Sequence, residues 1–249
     1  MKKQIYLFIV FCLMTFSCKE KMPEELQIAV AANMQFAMKD LTKKFTEHSG
    51  IECETVISSS GKLTAQIKQN APYDVFVAAD MKYPTELFKE GFTTAKPEVY
   101  ANGKLVLWTM KDGVQPSVEV LKTESIKHIS IANPKLAPYG KATVELLEHF
   151  GIYKVVKNKL VYGESISQAN QFIISNAAEI GFTAKSVVLS PELKGKGKWI
   201  DLDENLYSPI AQGMVIIKRD GAENKNAQQF YDFLFSVDAK KILQQYGYQ

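Results

Sequence analysis

The stretch that decides the fold runs from residue 26 to residue 78 and is LQIAVAANMQFAMKDLTKKFTEHSGIECETVISSSGKLTAQIKQNAPYDVFVA. Short apolar runs alternate in it with longer amphipathic ones. The run from Leu26 to Ala31 predicts a buried strand, and the amphipathic segment after it predicts a helix that ends at Gly50. A second strand and helix follow, and then a third strand from Val75 to Ala78. Because strands and helices alternate, we expect a parallel sheet with right-handed crossovers.

A second set of alternating elements begins at Lys104. It predicts strands at Lys104 to Met110, His128 to Ala132, Leu160 to Tyr162 and Ile180 to Thr183, and helices at Lys141 to Phe150 and Ser167 to Asn176. A further strand, Gly213 to Lys218, and one final helix, Lys225 to Tyr246, end the pattern. We therefore expect two α/β lobes, with lobe 1 in residues 25–103 plus 208–249 and lobe 2 in residues 104–207. The two crossings between them would form a hinge.

The N-terminal residues differ from the rest of the chain. Lys2 and Lys3 precede an apolar run, and small Ser17 stands before Cys18. The apolar run is shorter than the roughly 20 residues that cross a bilayer, so residues 1–17 predict a cleaved secretory signal. The segment resembles the lipobox of bacterial lipoproteins, in which the cysteine is diacylated, although Thr15 stands where Leu is usual. We expect a lipid on Cys18 and a tether over residues 18–24; plain secretion with an unmodified Cys18 is the alternative.

Composition excludes several classes of function. Without Lys2 and Lys3 the 30 basic residues fall to 28, against 27 acidic ones, so the chain has no basic footprint for nucleic acid. Arg219 is the only arginine, which leaves almost no guanidinium for bidentate binding of carboxylate or phosphate. Cys53 is the only cysteine after Cys18 and is interpreted as a packing residue. His48, His128 and His149 are scattered without metal-ligand spacing, a pattern that does not predict a metal site.

Four predicted strand-to-helix turns carry small or hydrogen-bonding residues directly before a helix, namely residues 31–34, 58–62, 133–140 and 163–167. Ligands of open parallel sheets bind beyond the carboxyl ends of the strands. A helix N-terminus offers free N–H groups and about half a positive charge, so it attracts anions. N-capping alone explains any single turn, but the three serines of Ser58 to Ser60 exceed what one cap needs. Glu164 would repel an anion, so we expect its carboxylate to point away and cap the helix.

These turns resemble those of the periplasmic molybdate-binding proteins of ABC transporters, a family related to the sulfate binders. The resemblance covers the chain from Ile28 to Tyr246 and is most specific at Ala29 to Met34, Ser58 to Ile67, Ala71 to Asp80, Ala132 to Gly140, Gly163 to Phe172 and Asn176 to Phe182. It implies an α/β, two-lobed periplasmic-binding-protein-like fold of type II, in which each lobe is a mostly parallel sheet flanked by helices.

The resemblance also implies a set of ligand-binding residues, which are Ala32, Asn33, Ser60, Tyr139 and Ile166. Many relatives have Ser at the position of Asn33 and Tyr at the position of Ala184. Asn33 together with Tyr139 resembles a subgroup in which one tyrosine replaces the other. That exchange leaves the exact set of hydrogen-bond donors open.

The function that the resemblance implies is that of an extracytoplasmic lipoprotein at the periplasmic face or cell surface. It would capture molybdate or tungstate between its lobes and deliver it to the membrane permease of an ABC importer. The oxyanion residues would bind oxygen atoms, so no direct protein–metal ligand and no resident cofactor are expected. We further expect a monomer that is not an enzyme.

Other interpretations stay open at this point. Another oxyanion, such as sulfate, could be the ligand. The spacing of Ser59 and Lys62 fits a serine–lysine hydrolase pattern, but the Ser-Asp-Asn and Lys-Thr-Gly elements of that group do not occur in the chain. A structural or adhesive surface protein is the third class, and it predicts no tightly bound small ligand.

Overall fold

A computed structural model describes residues 25–219 and 224–249. The predicted signal, residues 1–17, and the tether with Cys18, residues 18–24, lie outside the described residues. Within the described ranges, no helix is both long and apolar enough to cross a membrane.

Ten strands and nine α-helices make up the described chain. The strands are β1 Leu26–Ala31, β2 Cys53–Ser58, β3 Val75–Val77, β4 Glu98–Gly103, β5 Leu105–Thr109, β6 Ile129–Ala132, β7 Leu160–Gly163, β8 Ile180–Ala184, β9 Lys198–Asp201 and β10 Ile210–Ile216. The helices are α1 Gln35–Ser49, α2 Ser60–Lys68, α3 Lys82–Lys89, α4 Pro138–His149, α5 Tyr153–Val156, α6 Ile166–Ile174, α7 Lys185–Val188, α8 Lys225–Leu234 and α9 Val237–Gln245. Short 3-10 turns lie at Ala32–Met34, Glu119–Lys122, Lys157–Lys159 and Glu204–Leu206.

The strands form two five-stranded sheets, and this two-lobed α/β architecture confirms the predicted fold class. The first sheet has the order β2-β1-β3-β10-β4, and the second has the order β7-β6-β8-β5-β9. In each sheet three neighbouring strands are parallel, and the two others pair antiparallel at one side. The carboxyl ends of the parallel strands therefore lie together at one edge of each sheet, where helices begin.

The chain passes between the sheets twice, from β4 to β5 and from β9 to β10. All strands of the first sheet fall in residues 25–103 or 208–249, and those of the second fall in residues 104–207. At the crossing, β4 and β10 pair antiparallel, with Gly103 opposite Ile210 and a bulge between Gln212 and Gly213. Asn102 N–H donates to Gln249 C=O at 2.6 Å, so the C-terminal residue extends this ribbon.

Each sheet has its own apolar core. Helices α1, α8 and α9 cover one face of the first sheet, where Phe45 and Phe230 meet edge to face at 5.2 Å. A smaller cluster with Leu63 and Leu87 fills the other face under α2 and α3. The second sheet packs around fully buried Trp108. The cluster around Trp108 also includes Ala31, Ala32 and Ala79 of the first lobe, so the lobes are in apolar contact beside the cavity.

The final helix was predicted as one segment, Lys225 to Tyr246, and this prediction is wrong. The chain breaks between Leu234 and Val237, because the Ser236 hydroxyl accepts from Ala239 N–H at 3.2 Å and starts a second helix. The prediction also missed β4, β9 and α3. Strand β9 contains no buried residue, and buried and exposed residues alternate irregularly along β4. Neither strand therefore has the apolar run of an interior strand.

Candidate oxyanion site

The five residues that the family resemblance implied lie together in one cavity between the lobes. The cavity is small, with about 190 Å³ of empty space, part of which is open to solvent. Its lining consists of Ala31, Ala32, Asn33, Ser59, Ser60, Ala79, Ala137, Pro138, Tyr139 and Ile166. None of these described lining residues carries a charge. The cavity therefore suits a small ligand that is held by neutral groups.

The Ser60 hydroxyl is arranged as a donor toward the cavity. Ser59 already caps α2, since its Oγ accepts from Lys62 N–H at 3.4 Å. Ser60 Oγ accepts from Ala79 N–H at 3.0 Å, and in the described chain its own proton has no protein acceptor. The run of three serines thus serves two different purposes, and the side chain of Ser60 is the one free to donate to a ligand.

The Tyr139 hydroxyl lies against Gly103 and Gln212 of the first lobe. Its oxygen accepts from Gln212 Nε2 at 3.4 Å, and the Asn33 side chain lies within hydrogen-bonding reach of it. Complete burial raises the pKa of Tyr139 well above its usual range, so the phenol remains a neutral donor. Ala184, the position at which many relatives have tyrosine, is buried at the end of β8 and offers no side-chain donor.

Helix α4 begins earlier than predicted, and this brings Tyr139 into its first turn. It starts at Pro138 and not at Lys141, because proline is suited to the first helical position. The first turn packs directly on the end of β6, where a Cβ on Gly140 would lie 2.1 Å from Ala132 C=O. Only glycine permits that approach, which places the N–H of Tyr139 at the cavity.

Asn33 takes part in the site differently from Ser60 and Tyr139. Its Nδ2 donates to Gln212 Oε1 at 2.9 Å and to Tyr248 Oη at 3.0 Å, which uses both amide hydrogens. Its Oδ1 is buried and has no partner among the described residues. The side chain of Asn33 is therefore tied to the protein behind the cavity. What this residue can offer a ligand is its backbone N–H in the turn that follows β1.

Ile166 is the first residue of α6 and contributes only its backbone. The Ser165 hydroxyl caps this helix by accepting from Gln168 N–H at 3.3 Å. The expectation that Glu164 caps the helix is thus wrong, since the shorter Ser165 side chain reaches the free N–H. Glu164 points away from the cavity, as expected, and its Oε2 lies 2.5 Å from Lys62 Nζ.

Charged side chains are engaged elsewhere. Arg219 donates to Asp74 at 2.8 Å behind the first sheet, so the only arginine does not reach the cavity. The Lys62 ammonium lies on exposed Glu164, while Ser59 acts as a helix cap. Hence these two residues do not form a nucleophile–base pair.

Burial raises the pKa of Cys53 to about 12, which keeps its thiol protonated. Among the described residues, no cluster of three or more metal-ligating side chains occurs.

The two lobes meet around the cavity. Gly61 N–H of α2 donates to Leu136 C=O of the other lobe at 3.0 Å, and Tyr83 Oη donates to Lys135 C=O at 3.1 Å. A Cβ on Gly61 would lie 2.8 Å from Tyr83 Oη, so glycine is required for this close approach. These contacts join the first turn of α2 to the other lobe.

The whole described part of the chain matches known binding proteins. The model of the bacterial extracellular solute-binding protein family matches residues 26–249. The chain is 43% identical over 227 residues to the molybdate-binding protein ModA of Azotobacter vinelandii, a match that covers 90% of this chain and 89% of that protein. The chain belongs to the ModA family of bacterial extracellular solute-binding proteins.

Further comparisons agree with membership of the ModA family. The solved structure of the Azotobacter vinelandii periplasmic molybdate-binding protein superposes with a TM-score of 0.84 at 35% identity, covering 90% of this chain and 99% of that chain. A putative ABC transporter substrate-binding lipoprotein of Bacillus subtilis, YvgL, is 28% identical over 226 residues, which cover 90% of this chain and 85% of that protein.

Residues that the sequence did not single out lie behind the site of this ModA-family chain. Gln212, Tyr248, Tyr100 and Ser186 are buried and hydrogen-bonded to Asn33, to Tyr139 or to one another. One signal was available, because a glutamine inside the buried strand IAQGMVI is costly unless it is fully hydrogen-bonded. The other three gave no local sign of their position.

Gly103 is predicted to be essential to the placement of the Tyr139 hydroxyl. A Cβ at this position would lie 2.1 Å from Tyr139 Oη and 2.5 Å from Gln212 Nε2. We expect Gly103→Ala to lower the free energy of unfolding by about 1–3 kcal/mol, as overpacking does in cores. The measurement is urea denaturation of the ligand-free protein.

The double variant Gly103→Ala/Tyr139→Phe supplies the control. It removes the oxygen that collides with the new methyl group, so it should regain part of the lost stability. If Gly103→Ala is as stable as the wild type, the close packing around Tyr139 is refuted.

Proposed function

We propose that this protein captures molybdate, or tungstate, between its two lobes and delivers it to the membrane permease of an ABC importer. The observation that carries the proposal is an uncharged cavity between the lobes, lined by the first turns of α2, α4 and α6, in which the Ser60 hydroxyl has no described protein acceptor for its proton. The curated relatives from Azotobacter vinelandii and Rhodobacter capsulatus, at 43% and 39% identity, are named as molybdate-binding proteins.

The chemistry of the cavity fits a tetrahedral dianion. Each helix N-terminus contributes N–H groups and partial positive charge, and hydrogen bonds to an ionised acceptor are about twice as strong as neutral ones. The closed lobes keep the site dry, which strengthens every such bond. A dianion can therefore be held by neutral donors while the charged side chains stay at the surface. The ligand is cargo, and no resident cofactor is needed.

Selectivity has two parts. Phosphate near neutral pH carries a proton that a cavity of donors cannot satisfy, and an unmatched buried polar group costs about 1–3 kcal/mol. We therefore expect weak binding of phosphate. Sulfate is also a full dianion and differs from molybdate mainly in size. The similarity to the Azotobacter protein is what favours the larger ion.

The proposed location is outside the cytoplasm, at the periplasmic face or cell surface, with a lipid on Cys18 as the anchor. The residues before and at Cys18 support this proposal, as does the similarity to YvgL, which is described as a lipoprotein. Two acyl chains on one cysteine would hold the protein at the membrane stably, since a single chain gives only marginal binding. An anchored binding protein remains close to its permease.

A thermal-shift panel tests the ligand. A ligand at about 100 times its dissociation constant adds about 2.7 kcal/mol of stability, which for a protein of this size raises the melting temperature by roughly 5–10 °C. Micromolar molybdate and tungstate should each produce such a shift, whereas sulfate and phosphate at the same concentration should not. A larger shift with sulfate would replace the proposed ligand, and no shift with any oxyanion would refute oxyanion binding.

Loss of the Ser60 hydroxyl should weaken binding without unfolding the protein. A hydrogen bond to a charged group contributes about 1.5–3 kcal/mol, so Ser60→Ala should reduce molybdate affinity roughly ten- to a hundredfold in calorimetry. Ser49→Ala is the matched control, because Ser49 Oγ bonds to Phe45 C=O away from the cavity. Wild-type affinity in Ser60→Ala would remove this hydroxyl from the site.

The lipid anchor is tested by Cys18→Ala. This variant lacks the thiol that would be acylated, so it should move from the membrane fraction to the soluble fraction or accumulate with its signal uncleaved. Fractionation and immunoblotting of cells that express the full chain provide the measurement, with Cys53→Ala as the control cysteine. Unchanged membrane attachment of Cys18→Ala would contradict the anchor.

A further inference from the structure

We propose that Gln212 is a positioning residue that sets the direction of the hydrogen bonds in the oxyanion cavity. The inference rests on the proposed function and adds a residue that lies outside the cavity lining. Gln212 is completely buried in β10, opposite Ala101 and beside the bulge at Gly213. It therefore occupies the ribbon through which the chain crosses between the lobes.

The orientation of the Gln212 amide is determined by its neighbours. Its Oε1 accepts from Asn33 Nδ2 at 2.9 Å and from Tyr100 Oη at 2.8 Å. Reversing the amide would set its NH2 group against the NH2 group of Asn33. Burial raises the pKa of Tyr100 well above its usual range, so Tyr100 stays protonated and remains a donor. The single proton of Tyr100 has a second acceptor in Ala78 C=O at 3.2 Å, and the bond to Gln212 Oε1 is the shorter of the two. Asn33 and Tyr100 thus hold the oxygen of Gln212 on the side of the first lobe.

The nitrogen of the same amide must then face Tyr139. Gln212 Nε2 donates to Tyr139 Oη at 3.4 Å, and this occupies an acceptor position of the phenol oxygen. In this arrangement the proton of Tyr139 is left to point toward the cavity, whose lining includes this residue. Without Gln212, this proton could turn away from the ligand, so the amide determines that Tyr139 presents a donor.

Tyr248 completes the arrangement from the C-terminus. Its hydroxyl lies 3.0 Å from Asn33 Nδ2, Asn33 C=O and Ser186 Oγ alike. Asn33, Gln212 and Tyr248 belong to the first lobe, whereas Tyr139 and Ser186 belong to the second. The Gln212–Tyr139 bond therefore exists only when the lobes are together. Closure of the two lobes would therefore also orient the Tyr139 hydroxyl as a donor.

A purely structural role for Gln212 makes a different prediction. A buried amide that only satisfies its neighbours would affect stability, and its loss would change ligand affinity independently of Tyr139. A positioning role predicts that the two residues are coupled. Once the Tyr139 hydroxyl is gone, Gln212 has no proton to direct.

The test is a double-mutant cycle with Gln212→Met and Tyr139→Phe, with molybdate affinity measured by calorimetry. Gln212→Met keeps the side-chain length without hydrogen-bonding groups. We expect it to lower affinity about tenfold in the wild-type background and less than about twofold in the Tyr139→Phe background, a typical size for contacting pairs. Gln212→Glu keeps the shape but offers an acceptor to Tyr139, so its affinity should fall further than that of Gln212→Met.

Gln66 and Tyr73 provide the matched control pair, because Tyr73 Oη donates to Gln66 Oε1 at 3.0 Å outside the cavity. Gln66→Met should leave molybdate affinity unchanged. A wild-type protein that fails to bind molybdate refutes the proposed function itself. If the wild type binds, equal losses from Gln212→Met in both backgrounds, or no loss, overturn the positioning role. Should Gln212→Met not fold, the same cycle with Gln212→Asn, which keeps an uncharged amide but withdraws it from Tyr139, decides between coupled and independent losses.

Discussion

The meeting of several helix N-termini at one cavity without a cationic side chain is the constraint on which the rest of the structure depends. The proposed dianion would require several neutral donors that converge on one point, and helix N-termini supply them because their first N–H groups have no partner within the helix. Two sheets with parallel strands at facing edges bring several such termini together. The lobes, the crossings and the glycines near the cavity follow from that requirement.

Whether a hydroxyl in the cavity donates or accepts a hydrogen bond depends on the groups around it. A hydroxyl can do either, so it is available as a donor to a ligand only when another protein group already donates to its oxygen. The N–H of Ala79 does this for Ser60, and the amide of Gln212 does it for Tyr139. The principle is that of metal sites, in which outer groups orient the residues that touch the ligand.

The crossing between the lobes is also part of the binding site. Strands β4 and β10 carry the chain between the lobes, and the same ribbon holds Gly103 and Gln212 against the Tyr139 hydroxyl. A change in the relative position of the lobes must alter these contacts. The ribbon that joins the lobes thus also holds the residues that contact the Tyr139 hydroxyl beside the cavity.

The sequence by itself determined the elements whose signal is local. Apolar runs located the interior strands, Gly50 ended α1, and small residues before helices marked the turns that supply Ala32, Asn33, Ser60, Tyr139 and Ile166. The family resemblance then assigned these residues to one ligand.

Only the tertiary structure decided which side-chain hydrogens remain free, because that depends on partners far away in the chain. Asn33 and Gln212 are 179 residues apart, and Asn33 and Tyr248 are 215 residues apart. No periodicity or spacing records such pairs, since they arise where two sheets and the C-terminus meet. Edge strands β4 and β9 were missed for a related physical reason. Part of each strand faces solvent, so neither has the continuous apolar run of a buried strand, and each is held in place by hydrogen bonds to a neighbouring strand that is distant in sequence.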